Sequence, residues 1–255
     1  MGKVIAIFNQ KGGVGKTTTN INIASGLAEI GKKVLTIDID PQGNTSSGLG
    51  INKNELEKTI YNVLLGEIEI NDTKFKTPMK NLDLVPANMN LAGAEIELLD
   101  IKKREYLLKN AINKVKNTYD YIFIDCPPAV NILTLNALTA ADSVLVPIQC
   151  EYYALEGLTH LISTIKLVQQ KLNPSLYIEG ILFTMYDART NLSLQVVEEV
   201  KKYFSKEIYT TLIPRNVRLG EAPSHGLPIM MYDKRSKGAE SYKLLVEEFL
   251  EREGA

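Results

Sequence analysis

The sequence predicts an α/β fold in three layers: a mostly parallel, twisted sheet with helices on both of its faces. Three observations lead there. Short apolar runs of strand length alternate with helix-period segments along all 255 residues. The first run, Val4-Ile5-Ala6-Ile7-Phe8, is apolar throughout, as a central strand buried on both faces must be. It passes directly into a glycine-rich loop and then into a helical pattern.

Residues 17–30 form the first predicted helix. Ile21, Ala24 and Ala28 mark one face and Ile23, Leu27 and Ile30 widen it, while Gly31 stands where a helix stop is expected. Residues 34–38 read as the next strand, followed by a loop rich in Pro, Gly and Ser over 41–50. Helices are expected over 54–66, 90–98 and 101–116, with a short strand at 82–86. Residues 121–125 form a strand ending in Cys126-Pro127-Pro128, and 143–148 form another. A helix over 154–171, a strand over 178–184 and a helix over 191–204 follow. A strand over 208–212 leads to a loop rich in Pro and Arg, and the last helix covers 237–251. No repeat, low-complexity linker or composition break divides the series, so 1–255 reads as a single domain.

Composition narrows the function classes. The formal net charge is -1, so contact with nucleic acid requires a local basic patch rather than a global field. The two cysteines, Cys126 and Cys150, form no CxxC pair and have no histidine at ligand spacing, so buried reduced thiols are expected. His225 lacks a paired nucleophile, so a structural or interface role is expected of it, and His160, on a helix, is expected to be structural. Met1-Gly2-Lys3 runs straight into the first strand, which is far shorter than the ~20 apolar residues that span a bilayer. A cytoplasmic location is expected.

The strongest chemical signal is Lys11-Gly12-Gly13-Val14-Gly15-Lys16-Thr17-Thr18, between a strand and a helix. Glycines permit dihedrals that let successive N–H groups turn toward one anion, and the helix N-terminus adds a partial positive charge. Lys16 supplies a full charge to the β and γ phosphates, the Thr17 hydroxyl is the expected Mg²⁺ ligand, and Thr18 can donate to the α phosphate. The general pattern GxxxxGK(S/T) is met except at its first position, where Gln10 stands, and an extra lysine, Lys11, opens the loop. Asp125 closes the apolar run Tyr121-Ile122-Phe123-Ile124, the arrangement that delivers a carboxylate toward Mg²⁺ at a strand end. Asp38 and Asp40 follow the second strand and, by alternation, share one side of it.

The loop resembles the deviant phosphate loop, KGGxGKT(S/T), of the ParA/MinD/nitrogenase-iron-protein class. Further segments narrow the resemblance to ParA/Soj partitioning ATPases, nearest to the chromosomal Soj type: Asp40-Pro41-Gln42-Gly43-Asn44, Pro147-Ile148-Gln149-Cys150-Glu151-Tyr152-Tyr153-Ala154-Leu155-Glu156-Gly157, Met185-Tyr186-Asp187-Ala188-Arg189-Thr190-Asn191, Ile213-Pro214-Arg215-Asn216-Val217-Arg218 and Glu221-Ala222-Pro223-Ser224-His225-Gly226. The match covers nearly the whole chain. The resemblance implies a P-loop NTPase fold and a weak ATPase, turning ATP and water into ADP and phosphate. It implies Lys11 acting across a dimer on the partner's nucleotide, Asp40 positioning or deprotonating the attacking water, and Asp38 near the metal. It further implies an adenine pocket with Pro214, Asn216 and Met185, and Arg189 and Arg218 contacting nonspecific double-stranded DNA. The implied cofactors are ATP and Mg²⁺. The implied partners are a second copy of the chain and a ParB-type centromere-binding protein that stimulates hydrolysis, and the implied location is on the nucleoid. The resemblance allows a regulatory role in replication initiation beside partitioning.

Two related functions fit less well. Membrane attachment of the MinD kind needs a basic amphipathic C-terminal helix, and the tail Val246-Glu247-Glu248-Phe249-Leu250-Glu251-Arg252-Glu253 is acidic. A reductase like the nitrogenase iron protein bridges a cluster with two cysteines per subunit, and neither Cys126 nor Cys150 matches that placement.

Overall fold

The computed structural model describes residues 2–151 and 154–254. Met1 and Ala255, and Tyr152 and Tyr153 of the Gln149–Gly157 motif, lie outside the described residues. The strands are β1 Lys3–Ile7, β2 Val34–Asp38, β3 Phe75–Lys76, β4 Leu82–Val85, β5 Tyr121–Asp125, β6 Ser143–Gln149 and β7 Tyr177–Thr184. They form one sheet in the order β3-β4-β2-β5-β1-β6-β7, parallel throughout except for the antiparallel pair β3–β4. The helices are α1 Lys16–Glu29, α2 Asn44–Gly48, α3 Ile60–Leu64, α4 Leu91–Glu97, α5 Leu107–Asn113, α6 Ile132–Ala140, α7 Ala154–Lys171, α8 Asn191–Tyr203, α9 Val217–Glu221, α10 Ile229–Tyr232 and α11 Lys237–Glu253.

Alternation along β1 creates the three layers. Val4 and Ala6 point into a core shared with Ile60, Leu91, Leu108, Leu133, Leu161 and Val197, which come from helices between α3 and α8. Ile5 and Ile7 point into a second core with Ile23 and Leu27 of α1 and Tyr242, Leu245 and Phe249 of α11. A strand buried on both faces is apolar nearly throughout: β1, β2 and β5 carry polar residues only at their ends, apart from Thr36 in β2, whose buried hydroxyl is satisfied by Asn20 Nδ2 at 2.8 Å.

Four expected elements are corrected. Residues 54–66 do not form one helix: a 3-10 turn at Lys53–Glu55 is followed by extended backbone at Leu56, and Thr59 restarts the helix as an N-cap with a capping box to Asn62. The 101–116 helix shortens to Leu107–Asn113, because Lys103 is left-handed (φ 59°) and a 3-10 turn precedes α5. Residues 208–212 are not a strand. They touch β7 through one bridge, Ile181 to Ile208, and the N–H groups of Thr210 and Thr211 donate to the Glu248 carboxylate (2.7 and 2.8 Å) instead of to a neighbouring strand. The 41–50 loop contains a helix, α2, and α6 is a helix where none was expected.

Candidate functional site

In a parallel sheet the C-terminal strand ends lie together, and ligands bind in the crevice outside them. Register fixes the geometry: Ile7 of β1 and Asp38 of β2 both pair with Asp125 of β5. The loop leaving β1 therefore opens beside two carboxylates. Its turn depends on Gly13 (φ 75°) and Gly15 (φ 88°), whose backbone conformations side chains resist. Gly15 is also the N-cap of α1, and no side chain caps that helix, which leaves its first N–H groups directed at the crevice. A Cβ built on Gly12 or Gly13 meets nothing within 4 Å, so the loop borders open space at both positions.

Lys16 is 7% exposed and its Nζ donates to the Lys11 carbonyl at 3.1 Å, so its charge is held inside the loop. Burial lowers its pKa, opposed by the nearby Asp125 carboxylate. The Thr17 hydroxyl donates to Asp125 Oδ2 at 2.8 Å, and the Thr45 hydroxyl donates to the same oxygen at 2.8 Å. Asp125 Oδ1 is buried and has no hydrogen-bond partner among the described residues. Burial, reinforced by the charge of Asp38, raises the Asp125 carboxyl to about 7. An orphaned carboxylate oxygen next to a threonine hydroxyl suits a hard cation that takes its remaining ligands from phosphate and water, as Mg²⁺ does.

Asp38 lies beside Asp125, its register partner on the neighbouring strand. It is 0% exposed, Oδ2 accepts from the Ser46 N–H (2.8 Å) and hydroxyl (2.7 Å), and Oδ1 accepts from the Asp40 N–H (3.2 Å). Burial raises its carboxyl to about 6 against the lowering effect of those bonds. Asp40 is partly exposed at the start of the following loop and accepts from the Gln42 N–H at 2.9 Å. Lys11 reaches Glu151 of its own chain in an ion pair whose two side chains are each 43% exposed.

Met185, Pro214 and Asn216 come together. With Gly15, Thr18, Thr184, Ile213 and Tyr242 they line a cavity of about 210 Å³ adjoining the loop. A bridge between Tyr186 and Pro214 aligns its two walls, and the Thr184 hydroxyl donates to the Val14 carbonyl at 2.8 Å, tying the end of β7 to the loop. Asn216 caps α9, its Oδ1 accepting from the Leu219 N–H at 3.3 Å, which leaves its amide hydrogens for a ligand. Thr184 and Tyr242 carried no sequence signal beyond standing at a strand end and on a helix. A larger cavity, about 520 Å³ and lined by Lys33, Lys74, Lys76 and Asp83 among others, lies at the opposite ends of the strands and shares no residue with the loop.

Arg189 and Arg218 lie outside the crevice. Arg189 is 87% exposed and bidentate to Asp187 (2.8 and 2.7 Å), and its hydrogen bonds hold the Asp187 carboxyl well below the usual range. Arg218 is 53% exposed and pairs with Glu221 at 2.8 Å and Asp233 at 3.5 Å.

The parallel sheet, the uncapped helix after a glycine loop and the carboxylate at the adjoining strand end define a P-loop NTPase fold of the α/β class. A family model described as an AAA domain matches residues 2–178. The chain is 60% identical to the sporulation initiation inhibitor protein Soj of Bacillus subtilis (strain 168) over 97% of this chain and 98% of that protein. It is 53% identical to the chromosome-partitioning ATPase Soj of Treponema pallidum (strain Nichols) over 100% of this chain and 99% of that protein. A Mycobacterium smegmatis structure named cobyrinic acid a,c-diamide synthase, with bound ATP analog and magnesium, superposes with a TM-score of 0.88 at 39% identity, covering 100% of this chain and 97% of that one. The chain belongs to the ParA/Soj family of chromosome-partitioning proteins.

Proposed function

We propose that this chain is a chromosome- or plasmid-partitioning ATPase that binds DNA as an ATP-closed dimer. The observation that carries the reading is the continuity of the glycine loop with the Met185–Pro214–Asn216 cavity, which offers a phosphate cradle and a slot for a flat ring in one crevice. The relatives named as Soj and the neighbour holding an ATP analog with magnesium support it.

In this reading the loop from Lys11 to Thr18 wraps the phosphates, Lys16 neutralises their β and γ oxygens, and Pro214 and Met185 flank adenine while Asn216 recognises its edge. Thr17 and Asp125 would hold Mg²⁺, with Asp38 behind them, and the bound metal would screen charge between the phosphates. Asp40 orients the attacking water. Lys11 leaves Glu151 and reaches the partner's nucleotide when two copies close. An exposed ion pair is worth about 0–1 kcal/mol, so that exchange costs little. Arg189 and Arg218 contact phosphates of duplex DNA without reading sequence. A ParB-type partner accelerates hydrolysis and ends DNA retention. The working location is the cytoplasm, on the nucleoid, and a role in replication initiation fits the same cycle.

The test is retention of the protein on nonspecific duplex DNA with ATP, with ADP and without nucleotide, each with and without a candidate partner peptide. Retention with ATP alone, shortened by the peptide, is expected. Equal retention in all three nucleotide states overturns the reading. A second reading, attachment to a membrane surface, has no support in α11, whose last turns carry Glu247, Glu248, Glu251 and Glu253.

A further inference from the structure

Asp38, Asp40 and Asp125 account for the site's carboxylates but not for the place of α2. That helix is a single turn, Asn44-Thr45-Ser46-Ser47-Gly48, entered through Gly43 (φ 61°). None of its residues is a strong helix former, and its N-cap makes no side-chain bond. Tertiary contacts must hold it.

Those contacts are specific. Thr45 and Ser46 are both 0% exposed. The Thr45 hydroxyl donates to Asp125 Oδ2 (2.8 Å) and accepts from Asn20 Nδ2 (3.0 Å), which also donates to the Thr36 hydroxyl (2.8 Å). Ser46 donates to Asp38 Oδ2 through its N–H (2.8 Å) and its hydroxyl (2.7 Å), and that hydroxyl accepts from the Ala87 N–H (3.0 Å). Two adjacent residues thus grip two carboxylates that are register partners on neighbouring strands. The Thr17 and Thr45 hydroxyls load one Asp125 oxygen and leave the other, Oδ1, buried and unpaired. Asp40 lies between the two anchors: its N–H is bound to Asp38, and its own carbonyl accepts from the Gly43 N–H at 2.9 Å just before α2 begins.

We infer that Thr45 and Ser46 are positioning residues for hydrolysis, clamping α2 to Asp125 and Asp38 so that Asp40 is held at the mouth of the crevice. The inference rests on the role proposed for Asp40. Neither residue touches the nucleotide in this scheme. Groups that orient a metal-site carboxylate typically matter by about 10–100-fold. Both hydroxyls are buried, so removing either also strands a polar partner.

The experiment uses the full chain with Thr45→Val, Ser46→Ala and the conservative Thr45→Ser and Ser46→Thr. Hydrogen exchange is first read on the protein free of metal and nucleotide. Amides of 40–48 should exchange faster in Thr45→Val and Ser46→Ala by about tenfold, the size expected of one lost charge-assisted hydrogen bond, while the 11–16 loop stays as in wild type. Steady-state hydrolysis should then show kcat lower by about 10–100-fold with KM for ATP unchanged, restored by Thr45→Ser. Unchanged kcat in both variants overturns the clamp, as does loosening of the 11–16 loop together with a raised KM. If Thr45→Val does not fold, Thr45→Ala, which adds no atoms, is measured against the same two outcomes. A wild-type protein that binds no ATP sinks the ATPase reading. Wild-type turnover matched by the variants sinks only the clamp.

Discussion

Around Asp125 the polar side chains are buried and bonded mostly to one another, whereas Arg189 and Arg218 stand in solvent and are satisfied by acidic neighbours. Lys16, Asp38 and Asp125 are 7%, 0% and 1% exposed, and the Arg189 and Arg218 side chains are 87% and 53% exposed. The two regions follow different physics. In the crevice the surroundings are fixed in advance and poorly screened, so each group has a large and non-additive effect. On the arginine surface water and salt screen each charge, so effects are small and add up.

The contrast can be broken or sharpened by experiment. Asp40→Ala should lower hydrolysis by about 10²–10⁴-fold while ATP affinity and DNA retention persist. A parallel fall in affinity would show that Asp40 binds rather than positions. Lys16→Ala removes a buried cation from the loop, and titration calorimetry should find ATP affinity lower by at least ~30-fold. Arg189→Glu with Arg218→Glu should weaken DNA binding by about tenfold or more and flatten its salt dependence, with ATP affinity intact. Undiminished DNA binding by that double variant removes both arginines from the interface.

Two smaller effects follow. Burial lifts the Asp38 and Asp125 carboxyls from 3.8 to about 6 and about 7. Between the lower and upper values the folded chain binds protons that the unfolded chain has released, so stability falls as pH rises through that window and levels off above it. The melting temperature of the metal-free protein should therefore drop between about pH 4 and pH 7, by about 2–4 °C for each kcal/mol lost, and Asp125→Asn should flatten the profile. Smallest of all, Asp187→Asn frees Arg189 from an exposed pair and should raise DNA affinity by no more than about fivefold. A larger gain, measured by fluorescence anisotropy, would mean that the pair is less screened than its exposure indicates.

Much of this architecture was legible in the chain. The run Val4-Ile5-Ala6-Ile7-Phe8 and the helix after Lys16 carry their periodicity locally, and the structure places them within a residue or two of expectation. α7 begins and ends where its periodicity does. α6 was invisible because Leu133, Thr134, Asn136, Ala137 and Leu138 are all buried, which leaves no polar face to reveal a period. α2 was invisible for another reason: Gly43, Asn44, Ser46 and Ser47 are turn formers, and only Asp38 and Asp125, distant in sequence or on another strand, make them helical. Residues 208–212 have strand composition, but Glu248 intercepts the N–H groups of Thr210 and Thr211. In the site, the loop residues and Asp125 were readable because their spacing is the chemistry. Met185, Pro214 and Asn216 became a cavity through the resemblance and the Tyr186–Pro214 bridge, not through any local pattern. Asp187 and Glu221 stand in segments that carry the resemblance, but their pairing with the two arginines is not legible in them.

The Glu248 carboxylate has a consequence for assembly. Its bonds to Thr210 and Thr211, with Ile181 and Phe183 of β7 already paired to Glu207, Tyr209 and Ile213, leave that rim of the sheet with few free backbone groups to template another chain. The opposite rim is only the two residues Phe75–Lys76, one of them a lysine facing water. Copies of this protein are thereby steered away from stacking side by side into a continuous ribbon. Any association between copies would have to use surfaces other than these two edges, and so could be made and undone without unzipping any backbone.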